Sequence, residues 1–206
     1  MILCVQIDKL GSCLSTLAPL MDHYQNGKPG FADDTLRWLE DAEKTMSTLR
    51  LPDGAEMSAL RGRILKASDA LPADDGRPKR RAVQRARNAA AAEALERAEA
   101  ILRRRLLDAE ERLRHFEDKL CEGITAFLLQ NSLTERTSSH QAWLNQIWTR
   151  FKESQATRPL AIYMAASLSQ VDRSYILDRV MSRVAQNELE PSPIEAVSNS
   201  ETTETR

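Results

Sequence analysis

LERAEAILRRRLLDAEERLRHFEDKLCEGITAF, residues 95–127, places an apolar side chain at every third or fourth position: Leu95, Ala98, Leu102, Leu106, Ala109, Leu113, Phe116, Leu120, Ile124 and Phe127. At about 100° per residue they fall within an arc of roughly 80° that no charged side chain enters. Such a stripe belongs to an amphipathic helix that must cover its edge with another surface. The helical pattern extends over 79–131, which at about 1.5 Å per residue is about 80 Å. A helix of that length anchors a long bundle or joins a second chain.

Composition agrees with helices. The chain has 206 residues, 42% of them hydrophobic and 29% charged, with only 7 glycines and 5% aromatics. That balance is poor in the turn and aromatic residues of many-stranded folds and rich in helix formers. The expected fold is all-α: an elongated helical bundle with one long central coiled-coil-like helix and short C-terminal helices. Cys4, Cys13 and Cys121 form no close pair, which points to reduced thiols. The apolar start, MILCVQIDKLGSC, is interrupted by Asp8 and Lys9 before it reaches signal length. No stretch approaches the roughly 18 uncharged apolar residues of a membrane span. These features lead to the expectation of a soluble, cytoplasmic protein.

Punctuation divides the chain into an N-terminal three-helix region (1–72), a linker (73–78), the long amphipathic helix (79–131), short C-terminal helices (132–187) and a disordered acidic tail (188–206). The first helix is expected over 2–24, with Leu3, Ile7, Leu10, Leu14, Leu17, Met21 and Tyr24 in heptad spacing. NGKPG at 26–30 ends it, and Asp33 or Asp34 can cap the second, whose apolar side is Leu36, Leu39, Ala42, Met46 and Leu49. The Pro52-Asp53-Gly54 turn precedes a third helix carrying Met57, Leu60, Ile64, Ala67 and Leu71. Beyond the long helix, Ser138 with Gln141, and Ser169 with Asp172, have capping-box spacing. Pro159 suits the first position of the helix between them, expected through about Leu168. The last helix is expected to bury Val171, Ile176, Val180 and Val184.

The search for catalytic chemistry returns little. No two glycines form G-x-G or stand before Lys-Ser or Lys-Thr, so a phosphate-cradling loop is absent from the sequence. His23, His115 and His140 are far apart and none follows a carboxylate by three residues, the inward Glu-x-x-His spacing of bundle metal sites. No Gly-x-Ser-x-Gly occurs. No catalytic residue, metal site, cofactor or small-molecule substrate is therefore expected, and the sequence reads as non-enzymatic.

Two features suggest binding. The long helix, with Leu106, Leu113, Leu120 and Phe127 at a positions, carries Arg105, Arg112 and Lys119 at g and Glu110 and Glu117 at e. In a parallel homodimer Arg105 would face Glu110, and Arg112 would face Glu117, of the second copy. The candidate protein-binding seam is Leu102, Leu106, Leu113, Phe116, Leu120 and Ile124, covered either by a partner or by other helices of this chain; Ala109, Phe116 and Gly123 at d are poor zipper residues. The second feature is the RPKRRAVQRAR segment, 77–87, with six positive charges and no acid in a chain of net charge −1. Arg77, Arg80, Arg81, Arg85 and Arg87 would form one cationic helix face able to meet nucleic acid or another anion, although no aromatics for base stacking are interleaved with them. The sequence thus favours a helical adaptor or structural subunit that binds a protein partner or itself, with a nucleic-acid accessory role as the alternative.

Overall fold

The computed structural model describes residues 2–69, 80–130 and 139–189, the side chains of 185–189 excepted. The described residues form eight α-helices and no strand: α1 Leu3–Ser15, α2 Leu17–Gln25, α3 Phe31–Thr48, α4 Gly54–Lys66, α5 Arg80–Gln130, α6 His140–Glu153, α7 Arg158–Ser167 and α8 Gln170–Leu189. The protein is all-α. Arg77, the 73–78 linker, Leu71, Ser138 and the tail past 189 lie outside the described residues.

Packing divides the chain within α5, between Leu113 and Arg114. In the first unit, α1–α4 and the N-terminal part of α5 share one core. Leu10, Phe31, Leu39, Met46, Met57 and Ile64 are fully buried there with Ala91, Leu95, Ala98 and Leu102 of α5. In the second unit, the C-terminal part of α5 packs with α6–α8. Phe127 meets Phe151 of α6 edge-on at 5.9 Å, and Phe116 lies 5.7 Å from Tyr163 of α7.

Several local expectations are corrected. The first helix is broken at Thr16 into α1 and α2. The cause is Pro19, whose ring would clash with the Ser15 carbonyl of a continuous helix and whose missing N–H is harmless in the first turn of a new one. The heptad seam is accordingly incomplete, with Met21 and Tyr24 largely exposed. Helix α3 starts earlier than an Asp33 or Asp34 cap would place it. Gly30 supplies the cap at φ 96°, a left-handed conformation that favours glycine, and both aspartates sit in the first turn where the helix dipole favours them. Its C-terminus closes with Leu51 N–H donating to Met46 O and Arg50 N–H to Ser47 O, with Arg50 at φ 54°.

In α6 the cap is Ser139, whose Oγ accepts from Ala142 N–H. The Ser169–Asp172 capping box forms as expected: Asp172 N–H donates to Ser169 Oγ at 3.1 Å, and that hydroxyl donates to the Asp172 carboxylate at 2.8 Å. Asp172 is thereby turned inward with Ile176, Leu177, Val180 and Met181, and Val171, expected in the core, is left exposed.

Gly123 explains why the α5 seam makes an indifferent zipper. A Cβ there would stand 2.6 Å from Leu160 Cδ2 of α7 and 3.2 Å from Phe151 Cζ of α6. Glycine is where the short C-terminal helices approach the long one. Gly62 in α4 has open space around the equivalent position. Gly62→Ala is expected to raise stability by about 0.5–1 kcal/mol through helix propensity. Gly123→Ala should forfeit that gain to overpacking of about 1 kcal/mol or more. Urea unfolding of both variants measures the difference, and equal gains would contradict the close approach.

Candidate functional site

Each seam position offered by the sequence is placed in the chain's own packing. Leu102, Leu120 and Ile124 are fully buried, Leu113 and Phe116 nearly so, and Leu106 is partly buried against the first unit's core. The chain's own helices cover the stripe.

The flanking charges follow the same rule. Arg105 donates from Nε and Nη2 to the two oxygens of Asp53 at 2.7 and 3.1 Å, and Arg104 adds a third contact at 3.3 Å. Asp53 opens α4, and only 6% of its side chain is exposed. Burial alone would push its carboxyl up, but the Arg105 hydrogen bonds and charge, aided by Arg104, hold it below the ordinary 3.8. In the second unit Glu117, 4% exposed, accepts from Arg183 of α8 and pairs with Arg179 at 3.5 Å. Lys119 lies 5.8 Å over the Tyr163 ring. Glu110 and Arg112 make no ion pair with a described residue. The homodimer pairs Arg105–Glu110 and Arg112–Glu117 thus each have one member already committed inside the chain. The sequence showed Arg105 and Glu117 as flanking charges but not their partners, because Asp53 lies 52 residues from Arg105 and Arg183 lies 66 residues from Glu117.

An open groove of about 670 Å³ lies in the first unit, between α1–α2 and α3. Lys9, Cys13, Thr16, Leu20 and His23 line one wall at helical spacing, and Asp34, Trp38, Asp41 and Thr45 line the other. Two side-chain links pin the walls antiparallel. Trp38 Nε1 donates to Thr16 Oγ1 at 2.9 Å, and His23 Nδ1 meets Asp34 Oδ2 at 3.1 Å, with Arg37 on the other Asp34 oxygen at 2.6 Å. Cys13 lies in the groove with its pKa pushed up to about 11, by burial first and by the charge of Asp41 second. It is therefore a protonated thiol at neutral pH, not a nucleophilic thiolate. Sequence reasoning missed this groove. Its one signal was Pro19, which breaks the helical wall.

Of the basic segment, Arg80, Arg81 and Arg85 are exposed and make no ion pair with a described residue. Arg87 is instead held by Asp33 of α3 at 2.8 Å, so the cationic face is narrower than its spacing suggested. Among the described residues no three His, Cys, Asp or Glu side chains converge as metal ligands. His115 is exposed and turns its ring edge-on to Phe116.

Asp53→Asn should cost about 2–3 kcal/mol at pH 7, less than a fully enclosed pair because Arg104 faces solvent. A carboxyl held below its unfolded pKa contributes fully above that value and loses its contribution as pH falls further. The denaturation midpoints of wild type and Asp53→Asn should therefore stay apart at neutral pH and converge only below pH 3.8. Coincident midpoints at pH 7 would show the clamp to be idle. Comparison with protein-family models, with curated proteins and with solved structures finds no match to this chain.

Proposed function

We propose that this protein is a non-enzymatic helical adaptor that receives a helical segment of a protein partner in the open groove of its first unit. The observation that carries the reading is the form of that groove. Its walls are two antiparallel helical edges, with lining residues recurring every three or four positions over about three turns. A furrow of that kind accepts a third helix by ridges-into-grooves packing. Leu20 and Trp38 offer an apolar floor, and Lys9, Arg37 and Asp41 offer a rim with both signs of charge. The polar groups deeper in the groove are engaged with one another, which suits binding better than bond chemistry. The α5 stripe, filled from within, is left as the support of the two units.

The second reading is an anionic partner, nucleic acid foremost, at Arg80, Arg81 and Arg85. It is favoured by their exposure and by the absence of an ion pair from any of them to a described residue.

Ser12 and Thr45 lie on opposite walls of the groove. Once a partner has been captured and purified, Ser12→Arg and Thr45→Arg should each weaken its binding at least tenfold without shifting the thermal midpoint; undiminished affinity would sink the groove reading. In sedimentation, wild type is expected to be monomeric at tens of micromolar, and Leu113→Asp should lower stability rather than dissociate an assembly. For the second reading, affinity for DNA or RNA should fall linearly in log–log with salt. The slope should shrink by about three in the Arg80→Ala, Arg81→Ala, Arg85→Ala triple variant. Affinity independent of salt would remove it.

A further inference from the structure

The second unit contains a smaller pocket, about 190 Å³, between α6 and α8. Its base is apolar and fixed. Leu144 and Leu177 are buried, and the Trp148 indole stacks on Phe151 at 5.7 Å and 20°. Its upper lining is polar, and its charge is one-sided. Lys152 at the end of α6 and Arg173 in the first turn of α8 both line it, and no carboxylate does. Neither cation makes an ion pair with a described residue. Of the acids adjacent in sequence, Asp172 is buried and engaged with Ser169, and Glu153, next to Lys152, is exposed and makes no ion pair with a described residue.

The neutral lining adds donors. The Asn145 Oδ1 accepts from Gln141 Nε2 at 3.2 Å, which leaves the Asn145 amide NH₂ to donate. Gln170 and Ser174 contribute an amide and a hydroxyl. The Arg173 guanidinium is not loose: it lies 5.8 Å over the Trp148 ring, a contact that holds a cation in place without neutralising it.

Two uncompensated cations and three neutral donors around one small cavity call for a ligand with two negative charges and several acceptor oxygens. From this arrangement we propose that the α6–α8 pocket binds a phosphoryl group as its dianion. A carboxylate brings one charge and two oxygens and would leave one cation unmatched. A phosphate monoester near neutral pH carries nearly two charges and three terminal oxygens, and both cations can form charge-assisted hydrogen bonds to it. The group can arrive as free inorganic phosphate or on a phosphorylated side chain of a peptide. This inference stands apart from the first-unit groove.

The test uses the full chain labelled with ¹⁵N, following the Trp148 indole N–H and the Asn145 side-chain amide at constant ionic strength. The probes are inorganic phosphate, a phosphoserine peptide, the same peptide unphosphorylated, and acetate. Both phosphate probes should produce saturable one-to-one shifts at these resonances, and the unphosphorylated peptide and acetate should not. Lys152→Gln and Arg173→Gln should each weaken binding at least tenfold, while Arg173→Lys, which keeps the charge but not the fork, should retain part of it. Tighter binding of the phosphopeptide assigns the site to a modified protein, and tighter binding of inorganic phosphate assigns it to the free anion. Absence of saturation by either phosphate probe up to about 10 mM, or equal affinity in the Lys152→Gln, Arg173→Gln double variant, overturns the proposal.

Discussion

The apolar stripe of α5 is the constraint on which the rest of the fold depends. Its positions from Leu95 to Phe127 are buried almost without exception. Each large apolar side chain so removed from water contributes about 1.5–3 kcal/mol. None of the other helices exceeds 20 residues, and α2 and α7 have only 9 and 10. Helices that short are marginal in isolation. They persist because the stripe gives them something to pack on. In the first unit α1–α4 supply the complementary surface, and in the second α6–α8 do so, with Gly123 admitting Leu160 and Phe151 to close range.

Electrostatics then fix how those surfaces meet the helix. Apolar packing alone tolerates small slips in register, but a buried carboxylate does not, because it must find its cation or remain uncompensated. In each unit one such group is held by arginines, while Asp172, also buried, is engaged with Ser169. Asp53 binds Arg105 and Arg104 where α4 meets α5, and Glu117 binds Arg183 and Arg179 where α8 meets α5. The two clamps have opposite polarity, with the long helix supplying the cations in one unit and the acid in the other. Of the charges that flank the seam, Arg105 and Glu117 hold the chain to itself.

Beyond the stripe and its internal clamps, each unit leaves a concavity open. The first unit leaves a furrow between two antiparallel helical walls, and the second leaves a small cationic cavity over a tryptophan. They differ in chemistry as well as place. The furrow has an apolar floor and both signs of charge at its rim, whereas the cavity has an excess of donors and no acid. On the functions proposed, the first receives a partner helix and the second a compact anion.

Most of the helical plan was legible in the sequence because it rests on local rules. The 79–131 prediction for α5, observed as Arg80–Gln130, followed from periodicity. The Ser169–Asp172 box and Pro159 in the first turn of α7 followed from capping chemistry. The break at Thr16 was equally local, since Pro19 forbids a continuous helix, but the heptad spacing across it obscured the signal. By itself the sequence therefore determined that the chain is helical, where its longest helix lies and which edge of that helix avoids water. Only the tertiary structure decided what covers the edge, which acids meet Arg105 and Arg183, and where a groove and a cationic pocket are left open. Those outcomes depend on contacts between residues far apart in the chain, and helical periodicity records which face is apolar without recording what that face will touch.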